Sequence, residues 1–198
     1  MAGQPTLHKG RSIIEDNFIH KGYYDDLRFP VASIRLGGAQ PPTDVAYKGG
    51  LALEFPSNTD KTIYLTAQFP HGAVMGQDPE FHTHIAIPVS GAGAGAENLK
   101  WDLTYSWSGI GGVFPSESTL SITYDLQNTV ADTHTLIDVG DLLYSNRSTG
   151  SEGVSDVIIC SLTRDVSVAS DYASSVYLIT ADFHILLDRV GSRYEYLK

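Results

Sequence analysis

The sequence predicts an all-β fold, an antiparallel β-sandwich of jelly-roll kind with an irregular N-terminal arm, and three observations carry that prediction. Short apolar runs alternate with polar residues at a period of two. Gly at 19 positions and Pro at 9 punctuate those runs with chain reversals. Helical periodicity is absent apart from a turn or so over residues 138–144. Many short strands joined by Gly and Pro turns indicate two packed sheets, and the lack of an internal repeat argues against propellers and solenoids. At 198 residues the chain is long enough for one well-cored domain. The division expected is an arm over residues 1–30 and a single sandwich domain over residues 31–198.

Taken in order, residues 1–30 are mixed and polar, and they end in the cluster Tyr23-Tyr24-Asp25-Asp26-Leu27-Arg28-Phe29-Pro30. Asp25, Asp26 and Arg28 read there as an ion-paired, aromatic-flanked turn that locks the arm to the body or to a neighbouring subunit. Short runs at 31–36 and 51–55 are bracketed by Gly37-Gly38, Pro41-Pro42, Gly49-Gly50 and Pro56-Ser57-Asn58. Residues 61–69 form the next strand, a loop follows at His71-Gly72, and 81–89 is extended again. Ser90-Gly91-Ala92-Gly93-Ala94-Gly95-Ala96 is a flexible turn; no helix start follows it, as a phosphate-cradling Gly loop requires. Trp101, Leu103, Tyr105 and Trp107 alternate with Asp102, Thr104 and Ser106, the cleanest one-face-buried strand of the chain. Runs at 118–125, 133–139, 154–164 and 175–187 bring the total to about nine or ten strands.

Composition excludes several classes of function. Lys and Arg total 13 against 23 Asp and Glu, a formal charge of -10, and the basic residues are not clustered, so a nucleic-acid partner is not expected. No run approaches the ~20 apolar residues of a membrane helix, and the N-terminus lacks a basic-then-apolar signal pattern. No membrane association is expected, and synthesis in a cytoplasm is the simplest reading. Cys160 lies in the run Val157-Ile158-Ile159-Cys160, where a buried thiol acts as a small hydrophobe, and a single cysteine allows no intrachain disulfide.

The residues with chemical potential are the histidines. In an extended run, His82 and His84 share one face while Phe81, Thr83 and Ile85 share the other. Asp182 and His184 share a face on the late strand, so pairing of the two strands would gather imidazoles and a carboxylate. His82, His84 and His184 are thus weak metal-ligand candidates in the manner of a cupin-like metal-dependent enzyme, and His71 joins them only if its loop folds back. The alternative is a polar fastening in which hydroxyls, carboxylates or backbone groups satisfy the rings, with His82 or His84 and His184 on adjoining or facing strands. No Gly-x-Ser-x-Gly elbow is present, since Gly150-Ser151-Glu152-Gly153 has the wrong spacing, and no carboxylate pair stands out for glycoside hydrolysis. No catalytic residue and no cofactor are assigned. The aromatic row Trp101, Tyr105 and Trp107 is core or interface, or, if its face were exposed, the platform of a carbohydrate- or receptor-binding module.

In order along the chain, a set of short motifs resembles a family of tailed-bacteriophage virion structural proteins. The motifs are Tyr24-Asp25-Asp26-Leu27-Arg28-Phe29-Pro30, Gln68-Phe69-Pro70-His71, His82-Thr83-His84-Ile85, the strand holding Trp101 and Tyr105, Leu162-Thr163-Arg164, Asp182-Phe183-His184 and the ending Gly191-Ser192-Arg193-Tyr194-Glu195-Tyr196-Leu197-Lys198. Two departures are Ala86 and Leu186, where the family tends to carry aromatic residues. The resemblance implies a virion component, a capsid decoration, collar or tail accessory protein, with no catalysis. Its partners would be itself and other virion proteins of the capsid or tail. Jelly-roll subunits of virions close around an axis, so a homotrimer, or else a pentamer, is the expected assembly, with Tyr24, Asp25, Asp26, Arg28, Trp101, Tyr105 and Trp107 as interaction candidates.

Overall fold

A computed structural model describes residues 22–34, 36, 38, 40–74, 76–93, 95–148 and 155–188. Residues 1–21 of the expected arm, the loop Gly150-Ser151-Glu152-Gly153 and the Gly191-Ser192-Arg193 ending lie outside them. Among the described residues the chain forms ten strands and two single-turn 3₁₀ segments, Val31–Ser33 and Tyr144–Asn146. The strands are β1 (Tyr23–Pro30), β2 (Thr43–Tyr47), β3 (Gly50–Phe55), β4 (Lys61–Gln68), β5 (Glu80–Ala86), β6 (Asn98–Ser108), β7 (Ser118–Asp125), β8 (Thr135–Asp141), β9 (Val157–Arg164) and β10 (Val176–Leu187). They make an antiparallel β-sandwich of jelly-roll kind. One sheet runs β2-β3-β10-β5-β8 with β1 also on β10, and the other runs β4-β9-β6-β7.

The strand β10 organises the larger sheet. Its start, Val176 to Leu178, pairs with Phe55 to Leu53 of β3; its remainder, Thr180 to Leu187, pairs with β1, so two different strands share one of its edges. β5 covers the other edge, with a register shift between Leu178 and Thr180. Residues 23–30 therefore belong to the sheet, and the sequence expectation of an irregular arm up to residue 30, ending in a turn, is corrected: every residue of β1 has a partner on β10. The run 31–36 is corrected too, because Pro30 leads into a 3₁₀ turn in which Ile34 N–H returns to Val31. β2 was invisible to alternation, being a short polar strand whose side chains are half-buried or exposed.

The core follows from alternation. β6 turns Leu99, Trp101, Leu103, Tyr105 and Trp107 inward at 0–2% exposure, opposite Phe55, Phe81 and Phe183 of the other sheet, with Phe69 at the end of β4 joining them. Rings meet edge to face, Phe55 on Trp101 at 5.0 Å and Phe69 on Trp107 at 5.2 Å, the arrangement that ring quadrupoles favour. Two buried arginines tie the ends of the sandwich. Arg164, fully buried, donates to the carbonyls of Phe55, Ser174 and Tyr172 and to both oxygens of Asp171, with burial drawing its own pKa down. Arg147 clamps Asp156, which also accepts from Trp107 Nε1 at 3.1 Å. Cys160 is buried at 3%, and desolvation pushes its thiol up to about 12, well away from a reactive thiolate. The glycine-rich loop after β5 is held rather than free: Gly91 N–H reaches Thr129 O, Gly93 N–H reaches Gln127 O and Ala92 N–H reaches Glu97.

Candidate functional site

The motif residues meet on the outward face of the six-stranded sheet. Register alone builds the arrangement, because side chains at matched positions on neighbouring strands stand side by side. One row reads Arg28, Asp182, His82, Asp138 across β1, β10, β5 and β8. The next reads Asp26, His184, Glu80, Asp141, and a third reads Pro30, Thr180, His84, Leu136. Phe81, Thr83 and Ile85 point into the core, so His82 and His84 do share the outer face.

Asp182 is the hub. Although its position faces outward it is only 2% exposed, covered by the two histidines on β5. Its Oδ1 accepts from His84 Nε2 at 2.8 Å, and its Oδ2 lies 3.5 Å from His82 Nδ1. His84 thus bridges two partners, with Nε2 on Asp182 and Nδ1 2.8 Å from His134 Nε2. His82 Nε2 stands 3.4 Å from Glu80. On the other side, His184 Nδ1 donates to Asp26 Oδ1 at 2.9 Å while its ring lies flat against Tyr24, 4.7 Å between centroids and 6° between planes. The His184 hydrogen bond, aided by Arg28 at 3.2 Å, holds the Asp26 carboxyl below the usual aspartate value. Burial, with the carboxylates of Glu80, Asp138 and Asp78, pushes Asp141 up.

The sequence candidates divide accordingly. His82, His84 and His184 come together, on adjoining strands and with carboxylate partners, as a polar fastening requires. Among the described residues no group of three or more His, Cys, Asp or Glu is arranged to hold a metal ion. The reason is visible in the bonding: both nitrogens of His84 and Nδ1 of His184 are directed at protein partners. His71 is absent from the cluster, its Nε2 being 3.1 Å from Ser155 Oγ. Tyr24, Asp26 and Arg28 belong to it, whereas Asp25 only receives the N–H of Asp26. Trp101, Tyr105 and Trp107 are corrected as surface candidates. They are core residues at 0, 2 and 1% exposure, and none offers a face to a ligand or a neighbouring subunit. Glu80 and His134 escaped sequence reasoning: Glu80 shares the face of His82 and His84 by the same alternation along β5, its even spacing being the signal that could have found it, whereas His134 precedes β8 and only the fold brings it to His84.

Beside the cluster, Asp26, Arg28, His84, His134, Ile179, Thr180 and Asp182 line an open depression of about 340 Å³. The larger groove lies on the opposite side of the molecule, about 440 Å³ over the outer face of β4, β9 and β6, with Tyr64, Thr104, Phe114 and Ser161 in its lining.

Comparison with protein-family models and with curated proteins finds no match. Solved structures do share features. A family 11 carbohydrate-binding module from Clostridium thermocellum, in complex with a β-1,3-1,4-mixed-linked tetrasaccharide, is similar at 13% identity over 86% of this chain and 89% of that one, with a TM-score of 0.34. A non-crystalline-cellulose-specific module of family 28 is similar at 9% identity over 77% of this chain and 83% of its own, TM-score 0.36. TmCBM61 bound to β-1,4-galactotriose covers 88% of this chain and 93% of its own at 10% identity, TM-score 0.32. At these values the likeness reaches no further than the fold, and no family is assigned to the chain from it.

Proposed function

We propose that this protein is a structural component of a tailed-phage particle, a capsid decoration, collar or tail accessory subunit that acts by homo-oligomeric assembly without catalysis. The observation that supports this reading best is the convergence of the scattered motif set. Tyr24, Asp26 and Arg28, the pair His82 and His84, and the pair Asp182 and His184 come from three separate stretches, and the Asp26–His184 bond alone joins residues 158 apart in sequence. The Asp26–His184 bond and the Tyr24–His184 stack fasten β1, an edge strand, onto β10, while the contacts of His82 and His84 with Asp182 tie β5 to β10. A rigid body with its first strand locked in place is what a subunit needs when it is repeated around an axis.

The reading is tested on particles and in solution together. Mass spectrometry of purified phage particles is expected to find the chain in many copies, and native mass spectrometry of the isolated protein is expected to give a homotrimer. Particles lacking the chain overturn the proposal, whatever the mass in solution.

A further inference from the structure

We infer that the groove over β4, β9 and β6 is a binding site for a neutral oligosaccharide, with Tyr64 as its stacking platform. Four observations carry this, each independent of the histidine cluster and of the assembly reading above.

The first is the composition of the sheet face. Strand register sets Tyr64, Ser161, Thr104 and Thr119 in one row, and Thr66, Ile159 and Ser106 in the next. This outward face is mainly hydroxyl-bearing where the groove lies. A hydroxyl both donates and accepts, which suits the sugar hydroxyls that do the same. Polar groups of this kind, few and fixed, orient a ligand that apolar surface holds.

The second is the exposed ring. Tyr64 is 45% exposed and Phe114 44%, with Ile159 at 48% beside them, whereas the other aromatic rings of this sheet face inward or sit along β7. The C–H face of a pyranose packs on such a ring, and a tyrosine offers that area with little side-chain entropy to lose.

The third is preorganisation. Gly38, at φ +84°, passes so close that a Cβ there would stand 2.8 Å from Tyr64 Oη, so the chain braces the ring from its hydroxyl end. On the far side the segment carrying Phe114 is tied down by Ser106 Oγ donating to Pro115 O at 2.9 Å.

The fourth is charge and size. Among the described residues Glu117 is the one charged side chain in the lining, which holds no described Lys, Arg or His, on a chain of net charge -10. Anionic glycans and phosphates are therefore disfavoured and an uncharged ligand fits. A volume of about 440 Å³ falls in the range of small-ligand sites.

The test uses the full chain. Short neutral oligosaccharides of the glucan, mannan and galactan series, and sialylated or uronate-containing ones as the contrast, are arrayed and then titrated by calorimetry. Retention of at least one neutral series is expected, with Tyr64→Ala weakening association about tenfold or more and Tyr64→Phe keeping most of it. Circular dichroism and melting temperature monitor the fold, and Phe114→Ser, in an exposed loop, reports on the same groove should Tyr64→Ala fail to fold. Four results overturn the inference: no neutral series retained, retention of anionic series alone, undiminished binding in both the Tyr64 and Phe114 variants, or a fall in native mass caused by Tyr64→Ala, which would make this face an interface between copies. Incorporation into particles is a separate readout, so loss of this site and loss of the assembly reading are distinguishable.

Discussion

On the six-stranded sheet an outward row runs Arg28, Asp182, His82, Asp138; on the four-stranded sheet a corresponding row runs Tyr64, Ser161, Thr104, Thr119. Both rows arise from the same two-residue alternation, with the partners of each residue turned into a common core. The first surface is closed on itself: carboxylates and imidazoles bond to one another, and Asp182 is nearly buried beneath the histidines it holds. The second pairs Lys100 with Asp165 at 2.6 Å, near Asp102, at one end, and over the rest leaves mainly hydroxyls with Tyr64, Phe114 and Ile159 exposed and Glu117 in the groove lining. The lesson is that density of polar groups does not mark a binding surface. Groups committed to each other stabilise the fold, and the quieter face retains capacity for an outside partner.

Substitutions on the two faces and in the core between them test that contrast. Trp107→Ala should cost about 3–5 kcal/mol, because it removes a ring packed on Phe69 and Tyr144 and strands Asp156 of one donor. Chemical denaturation measures this, and a loss under ~1 kcal/mol would mean that the aromatic row is not core after all. Asp182→Ala should cost about 2–3 kcal/mol by leaving two ring nitrogens without their carboxylate. If stability were unchanged and a ligand were lost instead, the closed face would have to be reinterpreted as a site. Asp26→Ala should cost about 1 kcal/mol, and it should accelerate amide exchange in β1 more than in β6, since Asp26 anchors β1 through His184.

Acid titration separates the two faces further. On the hydroxyl face Lys100 and the Ser167 hydroxyl and amide lower Asp165 to about 2 from 3.8. A carboxylate depressed in the folded state contributes stability that is fully present above its unfolded value and is lost as pH falls through its folded value. That contribution is therefore intact above pH ~3.8 and disappears toward pH ~2. Asp165→Asn should lower the melting temperature at pH 5, and its deficit relative to wild type should shrink steadily as pH falls from ~3.8 toward ~2, as read by scanning calorimetry. The smallest effect is expected from Thr104→Val. The Thr104–Thr119 contact at 3.0 Å is exposed to water, so its loss should stay within ~0.5 kcal/mol, while any oligosaccharide bound over that row should be held less firmly.

Legibility in the sequence followed burial. β4, β6, β7, β9 and β10 were readable because at least one face of each meets the core and imposes period-two alternation. β1 and β2 were not, since a strand beside few neighbours carries a weak apolar signal; Tyr24, Asp26 and Arg28 answer to the charge network, and Pro30 closes the strand. The tight β2–β3 connection at Lys48 and Gly49, both at positive φ, was marked only by its glycines. In the cluster, His82, His84, Asp182 and His184 were readable as two same-face pairs. His134, whose Nε2 meets His84, was not, because it stands outside any strand and enters only through the chain's course into β8.

Residue order alone specifies an all-β chain of about ten short strands, the face that each of His82, His84, Asp182 and His184 shares with its neighbour, and a buried setting for Cys160. Alternation is a local property, set by the geometry of one strand, and so survives in the linear text. The three-dimensional packing was needed to make β1 a sheet strand, to share Asp182 between two histidines, to turn Trp101, Tyr105 and Trp107 inward and to leave Tyr64 outside. Those outcomes depend on which strand pairs with which and in what register, and that is fixed by packing two sheets around one core rather than by the residues nearest in sequence.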